Sequence, residues 1–209
     1  MQYQDASPAV QGIENSIWGK AVAAGCVNKN VRRARIVKMT CDKTDTMNYV
    51  VSFLEKLVNT PSPSGFTDEV MALVEKEAAG FGFRSHYSRK GGLIIEVPGN
   101  TEAVLGLSAH VDTLGAMVRS ISSEGMLRIV PVGGFMMESI EGMYCKVHTR
   151  TGKVYTGTIL TKEPSVHTYD DAKTLERKPK NMEVRLDERV RSEDDVKALD
   201  ISAGDYISF

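Results

Sequence analysis

Cysteine is scarce: three in 209 residues, Cys26, Cys41 and Cys145, an odd number with no C-x-x-C spacing. That excludes a disulfide framework and a cysteine zinc knuckle, and it fits a reducing, cytoplasmic location. Charge of one sign is also missing, since the net charge is −1. A nucleic acid or an anionic membrane surface is therefore not an expected partner. No apolar run approaches the roughly 18 residues of a membrane span. The short stretch "AVAAGCV" at 21–27 follows Asp5 and Glu14 rather than the positive charge that a secretory signal needs, so no targeting signal is read there. The glycine pairs Gly91-Gly92 and Gly133-Gly134 lack the Lys-Ser/Thr of a P-loop and the third glycine of a dinucleotide fingerprint. Ser64 lacks the G-x-S-x-G elbow of a serine hydrolase and reads as a loop serine. What remains, 42% hydrophobic and 25% charged residues, is the composition of a soluble globular protein.

Residues 1–46 carry seven Lys or Arg against four Asp or Glu without sustained periodicity, and are expected to form a poorly ordered extension. Met47 is an alternative start. From there Met47, Val50, Val51, Leu54, Leu57 and Val58 recur at helical spacing until Pro61 and Pro63 stop the helix. Thr67 is placed as the N-cap of a second helix, with Asp68 and Glu69 in its first turn and Val70, Met71, Leu73, Val74 and Ala78 as its buried stripe. "FRSHYS", "LIIEV" and "AVLGLS" predict three strands, the last two apolar enough to be buried on both faces. Helix, helix, then buried strands is the opening of an α/β sandwich. After Leu114, "MVRSIS", "MLRIVPV", "MYCKVHT" and "VYTGTI" alternate between Gly-containing turns and predict a mostly antiparallel β domain. Residues 161–200 are polar and yield only a short helix in "RSEDDVKALD", and "GDYISF" reads as a strand just entered.

The chemistry concentrates in "SAHVDT". In an extended segment His110 and Asp112 face the same side. A metal-binding imidazole commonly donates its other ring nitrogen to a carboxylate, which suits this pair. Two unrelated polar residues where a buried strand surfaces would give the same tripeptide, and the residues alone leave both readings open. His86, His148 and His167 have no acidic partners at ligand spacing. Asp170-Asp171 and Asp194-Asp195 sit in charged segments that read as solvated faces. The ten methionines call for nothing beyond gap-filling in cores or an oligomer contact.

Taken together, "LVNTPSPSG", "GLIIEVPG", "VLGLSAHVDTLGAMVRSISSEGMLRIVPVGGF" and "GDYISF" resemble the N-terminal half of the tetrahedral dinuclear metallo-aminopeptidases, the glutamyl and deblocking aminopeptidases whose members are often labelled endoglucanase or cellulase. The resemblance covers residues 47–209. It implies an α/β-sandwich metallopeptidase domain interrupted by an inserted β-rich dimerisation domain: 47–115 as the first part of the peptidase domain, 116–204 as the insertion, and 205–209 as the start of the return into the peptidase domain. It implies a site holding two divalent metal ions, zinc or cobalt, with His110 as the first metal ligand and Asp112 as the catalytic carboxylate that orients it. It further implies peptide substrates and a homo-oligomer of dimers building a dodecamer. The family's remaining acidic ligands, its Glu-Glu pair and its final His would follow the insertion, so the chain is expected to be a truncated copy with an incomplete site, inactive alone. Two other readings stand beside this one. A related metallo-deacylase or carboxypeptidase also uses H-x-D at a strand end, and residues 116–205 could serve as a non-catalytic oligomerisation module. The endoglucanase label finds no pair of carboxylates here that would flank a sugar.

Overall fold

The computed structural model describes residues 43–100 and 104–209. The expected extension at 1–46 falls almost wholly outside them. The chain divides into Met1–Asp45 and Thr46–Phe209, and the second unit carries the fold described below.

Helix α1 runs Lys43–Asn59 and α2 runs Asp68–Gly80. Both lie where the spacing of apolar residues puts them. The side of α1 that meets α2 differs from the predicted stripe. Tyr49 stacks on Phe53 and meets Phe81 edge-on, and its hydroxyl donates to Glu77 at 2.9 Å. Met47, Val50, Val51, Leu54 and Val58 are exposed. The helix therefore has two apolar sides, and its aromatic one wins α2 because rings bury more area per contact. In α2, Val70 and Ala78 are buried as predicted, whereas Thr67 occupies the N-cap position without a side-chain capping bond. Strands β1 (Arg84–Tyr87) and β2 (Leu93–Glu96) form a two-stranded antiparallel hairpin across the "RKGG" turn. The expected burial of "LIIEV" is not realised, since three of the four β2 residues are exposed. The predicted strand at "AVLGLS" is absent among the described residues: 104–110 form no strand, with Val104, Leu105 and Leu107 at 96%, 83% and 90% exposure. Burial on both faces requires neighbouring strands and two covering layers, and the described residues place none around it.

Beyond Leu114 the chain closes a six-stranded antiparallel barrel in the order β3-β4-β7-β6-β5-β8. Its strands are β3 Gly115–Ile121, β4 Leu127–Val132, β5 Tyr144–His148, β6 Val154–Thr161, β7 Met182–Leu186 and β8 Tyr206–Ser208. Alternation places Ala116, Val118, Leu127, Ile129, Val147, Ile159, Val184 and Ile207 inside, all almost fully buried. Met137 and Ile140 of a 3-10 turn, Val196 of the short helix α3 (Glu193–Ala198) and Ile201 complete this core. Ser192 caps α3 by accepting from the Asp195 amide at 3.1 Å. Closure leaves no open sheet edge in this domain.

One strand departs from the sequence expectation. β7 lies in the polar tract 161–200, where Met182, Val184 and Leu186 point inward between Glu183 and Arg185. β8 is the strand expected in "GDYISF". It closes the barrel, with Ile207 paired to Ala116 on one side and to Val147 on the other.

Cys145 lies in the barrel wall, 3% exposed. Burial, with the Asp187 carboxylate adding to it, pushes the thiol up to about 12. In the folded chain at mildly alkaline pH, Cys145 should resist alkylation, and it should react once urea opens the barrel, because the thiolate is the reactive species. Peptide mapping after iodoacetamide treatment checks this; rapid native labelling of Cys145 would contradict the barrel placement.

Candidate functional site

The site is built where the loop after α1 meets the chain entering the barrel. Ser62 is fully buried. Its carbonyl accepts from the Thr113 amide at 2.8 Å, and its hydroxyl donates to the Val111 carbonyl at 3.1 Å. Pro63 and Thr113 form a parallel bridge. Gly115 is what lets the two segments approach so closely: a Cβ there would lie 2.7 Å from Pro63 Cβ and 2.7 Å from the Ile207 carbonyl oxygen. The result is a clasp between residues 62–63 and 111–115.

Directly beside the clasp, His110 and Asp112 are hydrogen-bonded, as their spacing allows. His110 Nδ1 lies 3.0 Å from Asp112 Oδ1 and 3.3 Å from the Asp112 backbone carbonyl. The imidazole is open to solvent, with its side chain 84% exposed against 38% for Asp112. A third group completes the chain: Ser64 Oγ donates to Asp112 Oδ2. That bond, opposed by partial desolvation and aided by His110, holds the Asp112 carboxyl below the usual carboxylate range. A carboxylate offers only acceptors, so Nδ1 must carry the proton of the pair, and in the neutral imidazole Nε2 keeps its lone pair. Chemically, this is an outward-facing imidazole acceptor backed by an ionised carboxylate. Sequence reasoning missed Ser64 as a partner, because 48 residues separate it from Asp112 and no motif links them.

The other histidines are elsewhere. His86 pairs with Glu96 at 3.8 Å on the exposed hairpin. His148 is buried with its Nε2 2.8 Å from Ser208 Oγ, and burial pushes it toward the neutral form. The acidic pair at 194–195 is engaged locally, Asp195 accepting from the Arg191 amide at 2.9 Å and Asp194 lying 3.8 Å from Lys197. Two grooves on the barrel, one lined by Arg119, Arg128, Lys162 and Lys180, contain neither His110 nor Asp112. Among the described residues no group of three His, Cys, Asp or Glu could hold a metal ion. A catalytic zinc takes three protein ligands, so the described residues do not fit a complete metal centre.

Comparison with known proteins assigns the chain to a family. It belongs to the M42 glutamyl aminopeptidase family, whose model matches residues 91–209. The Bacillus subtilis protein YhfE, which carries an aminopeptidase name, is 46% identical over 160 residues, 76% of this chain and 46% of its own length. Among solved structures, the TET aminopeptidase of a marine-sediment Thaumarchaeota archaeon superposes with a TM-score of 0.67 at 24% identity, over 76% of this chain and 44% of that one. The Pyrococcus horikoshii TET1 peptidase, described as assembling into a tetrahedron or a large octahedral shell, gives 0.64 at 23% identity over 76% and 46%. The chain thus spans about half the length of these proteins. At these identities the two structures establish likeness of fold. No described helix is long and apolar enough to cross a membrane.

Replacing Gly115 with alanine should open the clasp. Overpacking of a tight contact costs about 1–3 kcal/mol, so the Thr113 amide should exchange with solvent about tenfold faster or more, while the Val147 amide on the far pairing of β8 changes less. Hydrogen exchange resolved by residue measures both. Unchanged exchange at Thr113 would show that the approach of Pro63 to Gly115 is not what holds the segment.

Proposed function

We propose that this chain is the N-terminal segment of a metal-dependent aminopeptidase, which removes residues one at a time from the free N-terminus of peptides. The observation that carries the reading is the hydrogen-bonded His110–Asp112 pair immediately before the barrel, in a chain of the M42 family. His110 Nε2 would supply one ligand to a site of two divalent ions, zinc or cobalt, and Asp112 would fix the imidazole's orientation. Bound metal supplies Lewis-acid chemistry in such hydrolases. Residues 47–115 are read as the first part of the peptidase domain and the barrel as its inserted oligomerisation domain. The cysteine content supports a cytoplasmic setting.

The test uses the gene product that carries this chain, incubated with peptides of free and of blocked N-terminus and followed by mass spectrometry. Stepwise loss from the free N-terminus, abolished by a chelator and by His110→Ala, is the expected result, and Asp112→Asn should lower the rate about 10–100-fold, as for other partners behind a metal ligand. Residues 1–209 alone should show no turnover with added zinc. Internal cleavage, or chelator-insensitive activity, would overturn the reading.

The barrel supports a second role, that of an assembly module, for it is complete in itself and leaves Met136, Met143 and Tyr144 exposed. Exposed apolar side chains of this size suit a protein contact, and the partner proposed is a second copy. Sedimentation of the purified chain should show dimers or larger species; a strictly monomeric chain would remove the oligomer from the account.

A further inference from the structure

Ser64 lies in a loop in which each neighbour is held by something outside it. Ser62 and Pro63 are clasped to 111–115 as described above. Gly65 adopts φ +91°, the left-handed conformation that suits glycine, and a Cβ there would meet the Tyr206 hydroxyl at 2.5 Å. The Phe66 amide donates to the Pro63 carbonyl at 2.7 Å. The Phe66 ring packs on Tyr206 and on His148, with centroids 5.2 and 5.0 Å apart. The backbone at residue 64 is therefore fixed from the barrel on one side and from the H-V-D segment on the other, and its hydroxyl is delivered to Asp112 Oδ2.

The side chains of Asp112 and His110 have no comparable support, although the backbone on either side of Asp112 is clasped. Both are substantially open to water, and 104–110 is unpaired. Without a second bond the carboxylate could turn about its side-chain torsions and exchange His110 for water. With Oδ2 held by Ser64, Oδ1 stays aimed at Nδ1.

We propose that Ser64 is a positioning residue: by anchoring the Asp112 carboxylate it holds His110 in the Nδ1–H tautomer and leaves Nε2 free to act as a ligand. The consequence for metal binding rests on the function proposed above, whereas the tautomer assignment does not.

Long-range proton–nitrogen NMR of the 209-residue chain labelled with 15N-histidine reads the tautomer directly, at a pH where the imidazole is neutral, with His110→Gln used to assign the signal. The wild type should show His110 as the Nδ1–H form. Ser64→Ala should move the tautomer ratio about fivefold toward Nε2–H, the loss of one ordinary hydrogen bond, and Ser64→Thr, which keeps the hydroxyl, should restore it. Asp112→Ala provides a second variant: if Ser64 acts through Asp112, adding Ser64→Ala to it should change the ratio no further. Overturning results are a wild-type Nε2–H form, a folded Ser64→Ala chain with an unaltered ratio, or additive effects in the double variant. The metal reading fails separately: unchanged zinc content in His110→Gln of the metal-loaded gene product would remove it while leaving a Ser64-dependent tautomer, and so the positioning role, intact.

Discussion

The arrangement depends on one close approach: the Thr113 amide bonded to the Ser62 carbonyl, with Pro63 lying where a side chain on Gly115 would otherwise stand. These contacts join parts of the chain about fifty residues apart, the loop that ends the first helix and the segment that enters the barrel. Everything of chemical interest hangs from that join. Val111 and Thr113 are held by backbone and hydroxyl bonds to a buried serine, so Asp112 between them projects toward Ser64, and His110 folds over the carboxylate. Loss of the join would leave His110 and Asp112 on an unpaired segment with only each other for support.

The barrel contributes rigidity rather than reacting groups. Its closure places β8 between β3 and β5, so that Tyr206 and His148 form a wall on which Phe66 rests. Through Phe66 and the clasp, the loop carrying Ser64 is tied to the same closed sheet that begins at Gly115. A functional pair held from two directions by a scaffold built without edges is better ordered than a pair on a free loop. The barrel and the segment carrying His110 and Asp112 are in this way parts of one packed unit.

Some of this was legible in the residues and some was not, for identifiable reasons. Strict alternation and glycine turns mark β3 to β6 plainly, and the Ser192 cap with its acidic first turn marks α3. β7 was hidden because the charged run before it, "KTLERKPK", masks an alternation of Met182, Val184 and Leu186 that is itself regular. "AVLGLS" was read as a buried strand because apolar content signals what a segment would bury, whereas pairing depends on neighbours that its own sequence does not contain. α1 was misjudged in its contact face, since Tyr49 and Phe53 form an aromatic side beside the aliphatic stripe. At the site, His110 and Asp112 announce themselves by spacing. Ser64 does not, because a hydrogen bond across 48 residues leaves no local pattern.

The central claim is that His110 Nε2 is presented as a metal ligand with Asp112 behind it. Zinc-edge X-ray absorption of the metal-loaded gene product, wild type against His110→Gln, tests it most directly. Imidazole scattering from the zinc that falls in the variant, with a matching loss of bound zinc, is the result predicted; identical spectra and identical zinc content in the two proteins would contradict it.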